Sequence, residues 1–375
     1  MSRWLEQTET WLYTQLRFLP EDVESYVICE TTTHLDQFPV GHIHSLEEVP
    51  GWRAFLDKGL RRIGLRTHLG FLISETKRCG ADILHSHFGN IGWKNLHAAR
   101  KAGVKHVVTF YGFDLSFLPQ REPVWFERYR EMFPSVDRVL CEGPHMAEKV
   151  AELGCPREKI QVHHLGVDVD EIRFQPRFWQ PGETLSVLIA GSFKEKKGIP
   201  FALEALGALQ GDVSLKVTVI GDAGHEERSR LEKKRILETI AKRNLGERVR
   251  MLGYTTYERF FEEAYGHHIF LSPSVTASDG DTEGGAPVSL IDMAATGRVL
   301  VSTRHCDIPE VVLHGKTGLL AEERNVDELV EHLHWLIDNP DKWKAMVTAG
   351  RSRIETEFNA RVQGRRLADI YSEIL

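Results

Sequence analysis

The stretch DGDTEGGAPVSLIDMAATG, residues 279–297, decides how the rest of the chain is interpreted. It predicts a loop that leads into a helix beginning near Pro287 and ending near Thr296, because proline is favoured at the first helical position. Gly284 and Gly285 let backbone amides come close to a ligand, and the helix start offers N–H groups without helical partners. The stretch therefore predicts an anion site.

Two acidic residues accompany this predicted anion site. Glu283 lies at its mouth, and Asp292 lies about a turn and a half into the helix. A carboxylate would repel an anion unless it serves another part of the same ligand, such as sugar hydroxyls. A ligand with both phosphate and sugar hydroxyls is a nucleotide sugar. Taken alone, the stretch is equally typical of a capped, solvated helix start.

Composition indicates a soluble globular protein and limits which partners it can bind. The length of 375 residues predicts two domains, and the net charge of −7 gives no reason to expect nucleic acid as a partner. The five cysteines show no CxxC spacing, which argues against a disulfide framework or a cysteine-built zinc site. The first residues do not resemble a signal peptide, and no apolar run approaches a membrane span. We expect a cytoplasmic protein that is at most peripheral to the inner face of the plasma membrane.

Short apolar strands alternate with helices along both halves of the chain, which predicts parallel βαβ units. The predicted strands are 25–29, 81–86, 106–110, 138–141 and 160–163, then 186–190, 215–220, 249–252, 269–272 and 299–302. The predicted helices are 8–18, 52–72 with a break at Gly59 or Gly64, 93–101, 123–132, 144–153, 199–209, 226–242, and 345–375 with an interruption at 358–360.

Residues 174–184 interrupt this alternation with two prolines and a glycine, and we interpret them as a linker. The predicted fold class is therefore α/β, with two Rossmann-like doubly wound domains, 1–173 and 185–357, facing a cleft, and a last helix at 358–375. Open sheets of this kind bind ligands at the carboxyl ends of their strands.

A lysine-rich turn, GSFKEKKGIP, follows the strand that ends at Ala190. Lys194, Lys196 and Lys197 lie there beside glycines and a helix start, and such lysines can neutralise a diphosphate. An isolated run of this composition is more often only solvated charge. Residues 221–224, GDAG, are too short for a dinucleotide fingerprint, and the DxD at 279–281 is interpreted as turn chemistry rather than a metal site.

Histidines allow a competing hypothesis. His85 and His87 lie on one face at the end of a predicted strand, and an HxH pair occurs among the zinc ligands of metallohydrolases. That chemistry needs further ligands converging on one barrel mouth, whereas this chain predicts two open sheets. We favour polar lining of the cleft and expect no metal.

Several short motifs occur in a fixed order from about Thr10 to the C-terminus. They are HSHFG at His85, TFYGFD at Thr109, HHLGVD at His163, AGSFKEKKG at Ala190, VIGDAG at Val219, MLGY at Met251, LSPSV at Leu271, DTEGGAPVSLIDMAATG at Asp281 and STRHCDIPEVVLHGKTGLL at Ser302. In this order they resemble the retaining GT-B glycosyltransferases of family 4, which include many capsule, lipopolysaccharide and exopolysaccharide transferases.

The resemblance implies a role for each matched position. Lys197 would neutralise the donor diphosphate, Glu283 would hold the transferred sugar, and Asp292 would accept hydrogen bonds from the ribose hydroxyls; Glu283 and Lys197 are the catalytic candidates. The other donor-side candidates are Gly191, Ser192, Lys194, Gly253, Tyr254, Gly284, Gly285, Ala286, Pro287 and Val288. The acceptor-side or cleft candidates are His87, Gly89, Tyr111, Asp114, Gly166 and Asp168.

The implied reaction moves a sugar from a nucleoside diphosphate sugar to a glycan or lipid-linked acceptor, with retention at the anomeric carbon. No protein nucleophile is obvious, and a front-face mechanism in which the leaving phosphate helps to deprotonate the acceptor suits a site rich in cations. The resemblance implies no cofactor besides the donor substrate, no metal, and a last helix that crosses back onto the N-terminal domain.

The chain departs from the family pattern at four places. Ser192 stands where arginine is usual, Asp292 stands where glutamate is usual, and Tyr111 stands where histidine is common. The first strand of the N-terminal domain is short or missing. Ser192, Tyr111 and the short first strand favour one alternative, a catalytically silent nucleotide-sugar-binding protein. A second alternative, from another enzyme class, is a GT-B sugar-nucleotide epimerase.

The stretch that begins at Trp52 and ends at Leu72 is basic and amphipathic. It holds five arginines and lysines against one acid, Asp57, and its apolar residues recur at roughly helical spacing. Such a helix usually packs its apolar side on the sheet, and this is the favoured interpretation. The alternative is peripheral contact with an anionic membrane.

Overall fold

The computed structural model describes residues 3–5 and 10–375. The chain forms two compact units, one of residues 1–167 with 359–375 and one of residues 168–358. Both units contain parallel strands connected by helices. The predicted α/β fold class with two Rossmann-like units is confirmed.

The first unit contains short strands followed by a regular alternation of strand and helix. Its strands are β1 (Arg3–Trp4), β2 (Val27–Cys29), β3 (Thr31–Thr32), β4 (Ile43–Ser45), β5 (Ile83–His87), β6 (Lys105–Thr109), β7 (Arg138–Cys141) and β8 (Ile160–Val162). Its helices before the second unit are α1 (Thr10–Arg17), α2 (Gly51–Arg62), α3 (Gly70–Arg78), α4 (Gly89–Ala102), α5 (Leu118–Arg121), α6 (Val124–Met132) and α7 (Pro144–Glu152).

In the described part of this unit, β5, β6, β7 and β8 form a parallel sheet in that order. The strand predicted at 25–29 is β2, but it pairs with β4, and β1 pairs with β3, so neither joins that sheet. The aromatic residues Phe110, Tyr129 and Phe133 pack beneath the sheet in one apolar cluster.

The second unit is the more regular of the two. Its strands are β9 (Leu185–Ala190), β10 (Leu215–Ile220), β11 (Val249–Met251), β12 (Ile269–Ser272), β13 (Val299–Thr303) and β14 (Leu319–Ala321). Its helices are α8 (Ile199–Leu209), α9 (Glu227–Lys242), α10 (Tyr257–Gly266), α11 (Val288–Thr296), α12 (Ile308–Val311), α13 (Val326–Asp338) and α14 (Trp343–Glu357). The chain then returns to the first unit with α15 (Ala360–Ile374).

All strand pairs of the second unit are parallel, in the order β11-β10-β9-β12-β13-β14. The order runs one way from β9 to β11 and the other way from β12 to β14. Such a reversal leaves a crevice at the carboxyl ends of the two central strands, where open α/β sheets bind ligands. We therefore expect a ligand site at the turns that follow β9 and β12.

The predicted linker at 174–184 differs from the structure, because these residues belong to the second unit. Trp179 is buried in the same apolar cluster as Leu185, and its indole N–H donates to the Glu183 carbonyl at 2.8 Å. The prolines and glycine shape a turn on this core. The division between the units lies instead at Val167 and Asp168.

The helix predicted at 52–72 is wrong in extent: α2 ends at Arg62, residues 63–69 belong to neither helix, and α3 continues beyond the predicted end to Arg78. The break contains Gly64, whose φ is 76°. Glycine adopts a positive φ readily and therefore often follows the end of an α-helix, so the sequence could predict this break. Helices α10 and α13 and strand β14 were not predicted.

Among the described residues, no helix combines the length and apolar character that crossing a bilayer requires.

Candidate functional site

The turn after β9 places Lys197 at the crevice of the second unit. Gly198 follows it with φ 63°, caps α8, and packs so tightly that a Cβ would lie 1.8 Å from the Pro273 carbonyl oxygen. Only glycine fits both constraints. The aliphatic part of Lys197 lies against Gly191, where an added Cβ would be 3.2 Å from Cδ. The lysine side chain is thereby aimed across the carboxyl ends of the strands.

Lys197 and Glu283, the two catalytic candidates, are brought together. The Lys197 ammonium donates to Glu283 Oε2 at 2.9 Å, and the Ser274 hydroxyl donates to Oε1 at 2.8 Å. The Glu283 side chain is only 7% exposed. Burial alone would raise the pKa of Glu283, but the ammonium groups of Lys197 and Lys196 outweigh burial and lower the pKa to about 2. Glu283 therefore stays ionised throughout the physiological range.

A second layer holds the backbone of Glu283. Its N–H donates to His305 Nε2 at 3.1 Å, and His305 Nδ1 lies 2.6 Å from Glu323 Oε1. Because Nε2 accepts a hydrogen bond, the ring proton belongs on Nδ1, facing Glu323. Glu323 in turn accepts from the Thr276 backbone N–H at 2.7 Å. This relay ties the Glu283 loop to the turns after β13 and β14.

The acidic loop before Glu283 is held by cations of the same unit. Lys196 donates to Asp281 Oδ1 at 3.0 Å and to the Thr282 carbonyl at 2.7 Å, and Arg228 donates to Asp279 Oδ2 at 3.0 Å. Both acids of the DxD pattern are thus paired with basic side chains.

Helix α11 begins one residue later than predicted. Pro287 is the cap residue, with ψ 131°, and the helix starts at Val288. Gly284 has φ 79°, while Gly284 and Gly285 are buried and Ala286 is half-buried. The proline fixes the entry angle of the chain instead of occupying the first helical turn. The N-terminus of α11 still follows directly on the Glu283 loop, as the sequence predicts.

Asp292 is buried in the second turn of α11, with 2% of its surface exposed. The Tyr257 hydroxyl donates to its Oδ1 at 2.9 Å. Burial raises the pKa of Asp292 to about 7, and the hydrogen bond from Tyr257 only partly opposes this. The carboxyl group is therefore balanced between its neutral and ionised forms near neutral pH.

The remaining donor-side candidates line the edge of the same strand ends. Gly253 has φ 69° and its carbonyl accepts from the Gly221 N–H at 2.8 Å. Tyr254 is exposed, and its hydroxyl donates to the Asp222 carbonyl at 2.9 Å. Ser192 and Lys194 precede Lys197 in its turn, where burial lowers the pKa of Lys194.

A separate polar cluster lies at the end of β5 in the first unit. His87 Nδ1 lies 2.8 Å from the Tyr111 hydroxyl, and the rings of His85 and His87 stack at 4.4 Å. Both His85 nitrogens have partners at 2.7 Å, the hydroxyls of Tyr371 and Thr109. Burial lowers the pKa of His87 to about 3. Burial lowers the pKa of His85 as well, so both hydrogen-bonded rings are neutral near pH 7.

Asp114 explains the start of α4 in the same unit. Its carboxylate accepts from the Tyr111 N–H at 2.8 Å and from the Gly89 N–H, so it caps a helix that lacks a capping side chain of its own. Burial raises the pKa of Asp114 to about 7. Gly89 touches Phe110, where a Cβ would lie 2.3 Å from the ring.

The last two acceptor-side candidates lie where the chain divides. Gly166 packs against Ala360, with room for no Cβ, because one would lie 2.6 Å from the Ala360 Cα. Asp168 is the first residue of the second unit. The structure therefore brings several predicted candidates into contact. Lys197 contacts Glu283 and Gly191 in the second unit, and in the first unit Tyr111 contacts His87 while Asp114 contacts Tyr111 and Gly89.

Sequence reasoning missed four residues that shape the second-unit site. Ser274 and His305 each follow a strand of the sheet, and this position at a carboxyl end was the available signal. Glu323 and Tyr257 carried no such signal. Tyr257 lies in α10 and Glu323 follows β14, and neither of these elements was predicted.

Two family models cover most of the chain. The model described as glycosyltransferase family 4 matches residues 8–171, and the model described as glycosyl transferases group 1 matches residues 170–353.

Curated relatives and solved structures agree with these matches. The chain is 32% identical to the amylovoran biosynthesis glycosyltransferase AmsK of Erwinia amylovora, over 80% of this chain and 72% of that protein. It is 32% identical to the putative colanic acid biosynthesis glycosyltransferase WcaL of Escherichia coli, over 77% of this chain and 70% of that protein.

Two solved structures share the fold. A glycosyltransferase from Rickettsia africae has a TM-score of 0.77 at 17% identity, covering 99% of this chain and 96% of that one. The Anabaena protein HepE, in complex with UDP and glucose, has a TM-score of 0.76 at 14% identity, covering 99% and 98%. At these identities the likeness concerns the fold alone.

Proposed function

The chain belongs to glycosyltransferase family 4, and on that premise we propose that it moves a sugar from a nucleoside diphosphate sugar to a glycan or lipid-linked acceptor, with retention of anomeric configuration. The relatives named for amylovoran and colanic acid biosynthesis support a role in the assembly of a surface polysaccharide.

The observation that carries this proposal is the Lys197–Glu283 pair at the switch point of the second sheet. The pair holds a cation beside a carboxylate whose pKa the neighbouring ammonium groups lower, next to the N-terminal ends of α8 and α11. Helix starts and an ammonium suit a diphosphate, and the carboxylate suits sugar hydroxyls. A sugar nucleotide presents both groups a few bonds apart.

We assign Glu283 to holding the transferred sugar rather than attacking it. One of its oxygens accepts from the Lys197 ammonium and the other from Ser274, so both are engaged and its basicity is low. A carboxylate in this state stabilises positive charge at the anomeric carbon better than it forms a bond. The departing phosphate is then the base for the acceptor hydroxyl, on the face from which it leaves.

The proposal requires no metal and no cofactor besides the donor substrate. The charge that a divalent cation would supply comes from Lys197 and from the amides at the helix starts. The two acids of the DxD pattern are already paired with Lys196 and Arg228. Turnover should therefore be unchanged by chelators, and loss of activity in EDTA restored by Mg²⁺ would contradict this part of the proposal.

A thermal-shift screen against nucleoside diphosphates and their sugars tests donor binding first. A ligand at one hundred times its dissociation constant should raise the free energy of unfolding by about 2.7 kcal/mol. The sugar nucleotide that stabilises the protein is then incubated with candidate acceptors, and the anomeric configuration of the product is read by NMR. Interconversion of donors without acceptor, or binding without any transfer or slow hydrolysis, would contradict the proposal.

Glu283→Gln and Asp292→Asn should affect different kinetic parameters. The amide at position 283 keeps the shape but loses the charge beside the sugar, so kcat should fall about 10- to 100-fold with a small change in KM. We assign Asp292 to accepting hydrogen bonds from the ribose, so its replacement should raise KM for the donor about 10-fold with little change in kcat. Steady-state kinetics with varied donor concentration measure both. Equal effects of the two variants on both parameters would show that these roles are wrong.

Donor affinity should depend on pH through Asp292. Its pKa of about 7 means that the ionised form, which accepts hydroxyl hydrogen bonds, is lost as the pH falls below 7. Affinity should therefore weaken as the pH falls below 7 and level off about tenfold lower, the loss expected for the neutral Asp292→Asn side chain. Titration calorimetry with a sugar nucleotide measures this affinity. Both phosphates of such a ligand are esterified and do not titrate near pH 7, so the ligand adds no pH dependence of its own. The Asp292→Asn variant is the control, and an unchanged slope in it would assign the proton to another group.

A further inference from the structure

Two charged residues of α2, Asp57 and Arg61, make polar contacts with the rest of the first unit. Asp57 is buried and accepts from the Gly70 and Phe71 N–H groups at 3.1 and 2.7 Å, so it caps α3. Arg61 makes a two-pronged ion pair with Glu30, at 2.7 and 2.9 Å. The contacts that attach α2 to its own unit are thus largely polar, and the sequence expectation that its apolar side packs on the sheet is wrong.

The apolar side chains of α2 and the loop after it point outward instead. Five large ones are between 53 and 80% exposed: Trp52, Phe55, Leu56, Ile63 and Leu65. We call these five residues, with Lys58 and Arg62, the α2 surface. Single exposed apolar residues are ordinary, but five within fourteen positions form a patch of the kind that marks an interaction site.

The charge of the α2 surface indicates what it contacts. Lys58 and Arg62 are exposed, lie on the same helix as Phe55, and are not among the ion-paired side chains of the described residues. The acid within the helix, Asp57, is buried beneath them. In a chain of net charge −7, this is a local positive area around exposed tryptophan, phenylalanine and leucine. Aromatic and aliphatic residues bordered by lysine and arginine are what an anionic lipid interface binds.

We propose that the α2 surface docks the protein on an anionic membrane. The helix lies along the interface, with Trp52, Phe55 and Leu56 entering the boundary between headgroups and acyl chains, while Lys58 and Arg62 contact lipid phosphates. The inward contacts of Asp57 and Arg61 leave this face free without unfolding any part of the unit. The proposal goes beyond sugar transfer and is tested without any donor, so its failure and that of the proposed activity are separate.

The test is co-sedimentation of the full chain with vesicles of phosphatidylglycerol and phosphatidylcholine, and with phosphatidylcholine alone. The wild type should bind the anionic vesicles at low ionic strength and dissociate from them at higher ionic strength, because salt screens the attraction. It should bind the neutral vesicles only weakly. Lys58→Glu/Arg62→Glu should weaken partitioning at least tenfold, since each basic residue near such a surface contributes about fivefold. Trp52→Ser/Phe55→Ser should weaken it as strongly.

Matched controls separate this surface from general effects of charge and hydrophobicity. Lys316→Glu/Lys344→Glu changes the net charge equally at exposed positions of the second unit, and Leu231→Ser/Leu237→Ser removes two exposed leucines from α9. Both should bind vesicles like the wild type. Arg61 is left unchanged because its replacement would break the Glu30 pair.

Three results would overturn the proposal. One is a wild type that ignores anionic vesicles at low ionic strength. Another is equal loss of binding in the control variants. The third is concentration-dependent self-association that Trp52→Ser/Phe55→Ser abolishes, because the surface would then bind a second copy of the chain.

Discussion

Lys197→Ala should lose about 3 kcal/mol of folding free energy and, separately, most of its donor affinity. Removing the ammonium leaves the Glu283 carboxylate ionised and 7% exposed without its cation, and breaking a buried ion pair costs about 3–5 kcal/mol. The lower end applies because Lys197 itself is 19% exposed. The lost charge-assisted contact with the diphosphate should weaken donor binding by a further 1.5–3 kcal/mol or so. Urea unfolding measures the first effect and titration calorimetry the second.

A double variant separates these two effects. Lys197→Ala/Glu283→Gln removes the orphaned charge and should recover most of the lost stability, yet donor affinity should stay low because the phosphate cation is still absent. Lys149→Ala is the matched control: it removes an exposed pair with Glu152 and should cost less than about 1 kcal/mol. Unchanged donor affinity in Lys197→Ala would move the diphosphate site elsewhere.

Arg298→Met should destabilise the second unit by about 3–5 kcal/mol. Arg298 is 1% exposed, and its guanidinium donates to the carbonyls of Ala264 at 3.1 Å and His267 at 2.5 Å. It also reaches the carbonyls of Thr296 and Gln175. These oxygens belong to the ends of α10 and α11 and to the chain before β9, so one side chain satisfies several buried acceptors. Methionine preserves much of the volume but none of the hydrogen bonds.

The measurement is the urea midpoint together with the slope of the transition. A lower midpoint with an unchanged slope indicates lost stability rather than a changed unfolded state. Burial lowers the pKa of Arg298 to about 10, so the cation persists at neutral pH and the result should not vary between pH 6 and 8. Arg304→Met, at an exposed pair with Glu322, is the control, and a loss as small as that control would refute the assigned role.

The sequence by itself determined the frame of the second unit. The bounds predicted for α8, β10 and β12 are those of the structure. The two strands are short, largely apolar and buried, as strands of a parallel sheet covered on both faces are, and α8 has in its first turn a proline, which favours a helix start. The glycine-flanked Lys197 and the loop with Glu283 were predicted for one site and meet at 2.9 Å. They follow different strands of a parallel sheet, whose carboxyl ends share one edge.

Only the tertiary structure decided what surrounds those two residues and which way α2 faces. Ser274, His305 and Glu323 reach Glu283 from separate turns, and no local pattern records such convergence. No local pattern marks Arg298 as buried, and its burial depends on carbonyl acceptors in two distant segments. Periodicity predicts that a helix has an apolar side, but not whether that side meets its own core or another surface, because both environments select the same spacing. In α2, the buried Asp57 caps α3 and the partly exposed Arg61 pairs with Glu30, and these polar contacts leave the large apolar side chains facing outward.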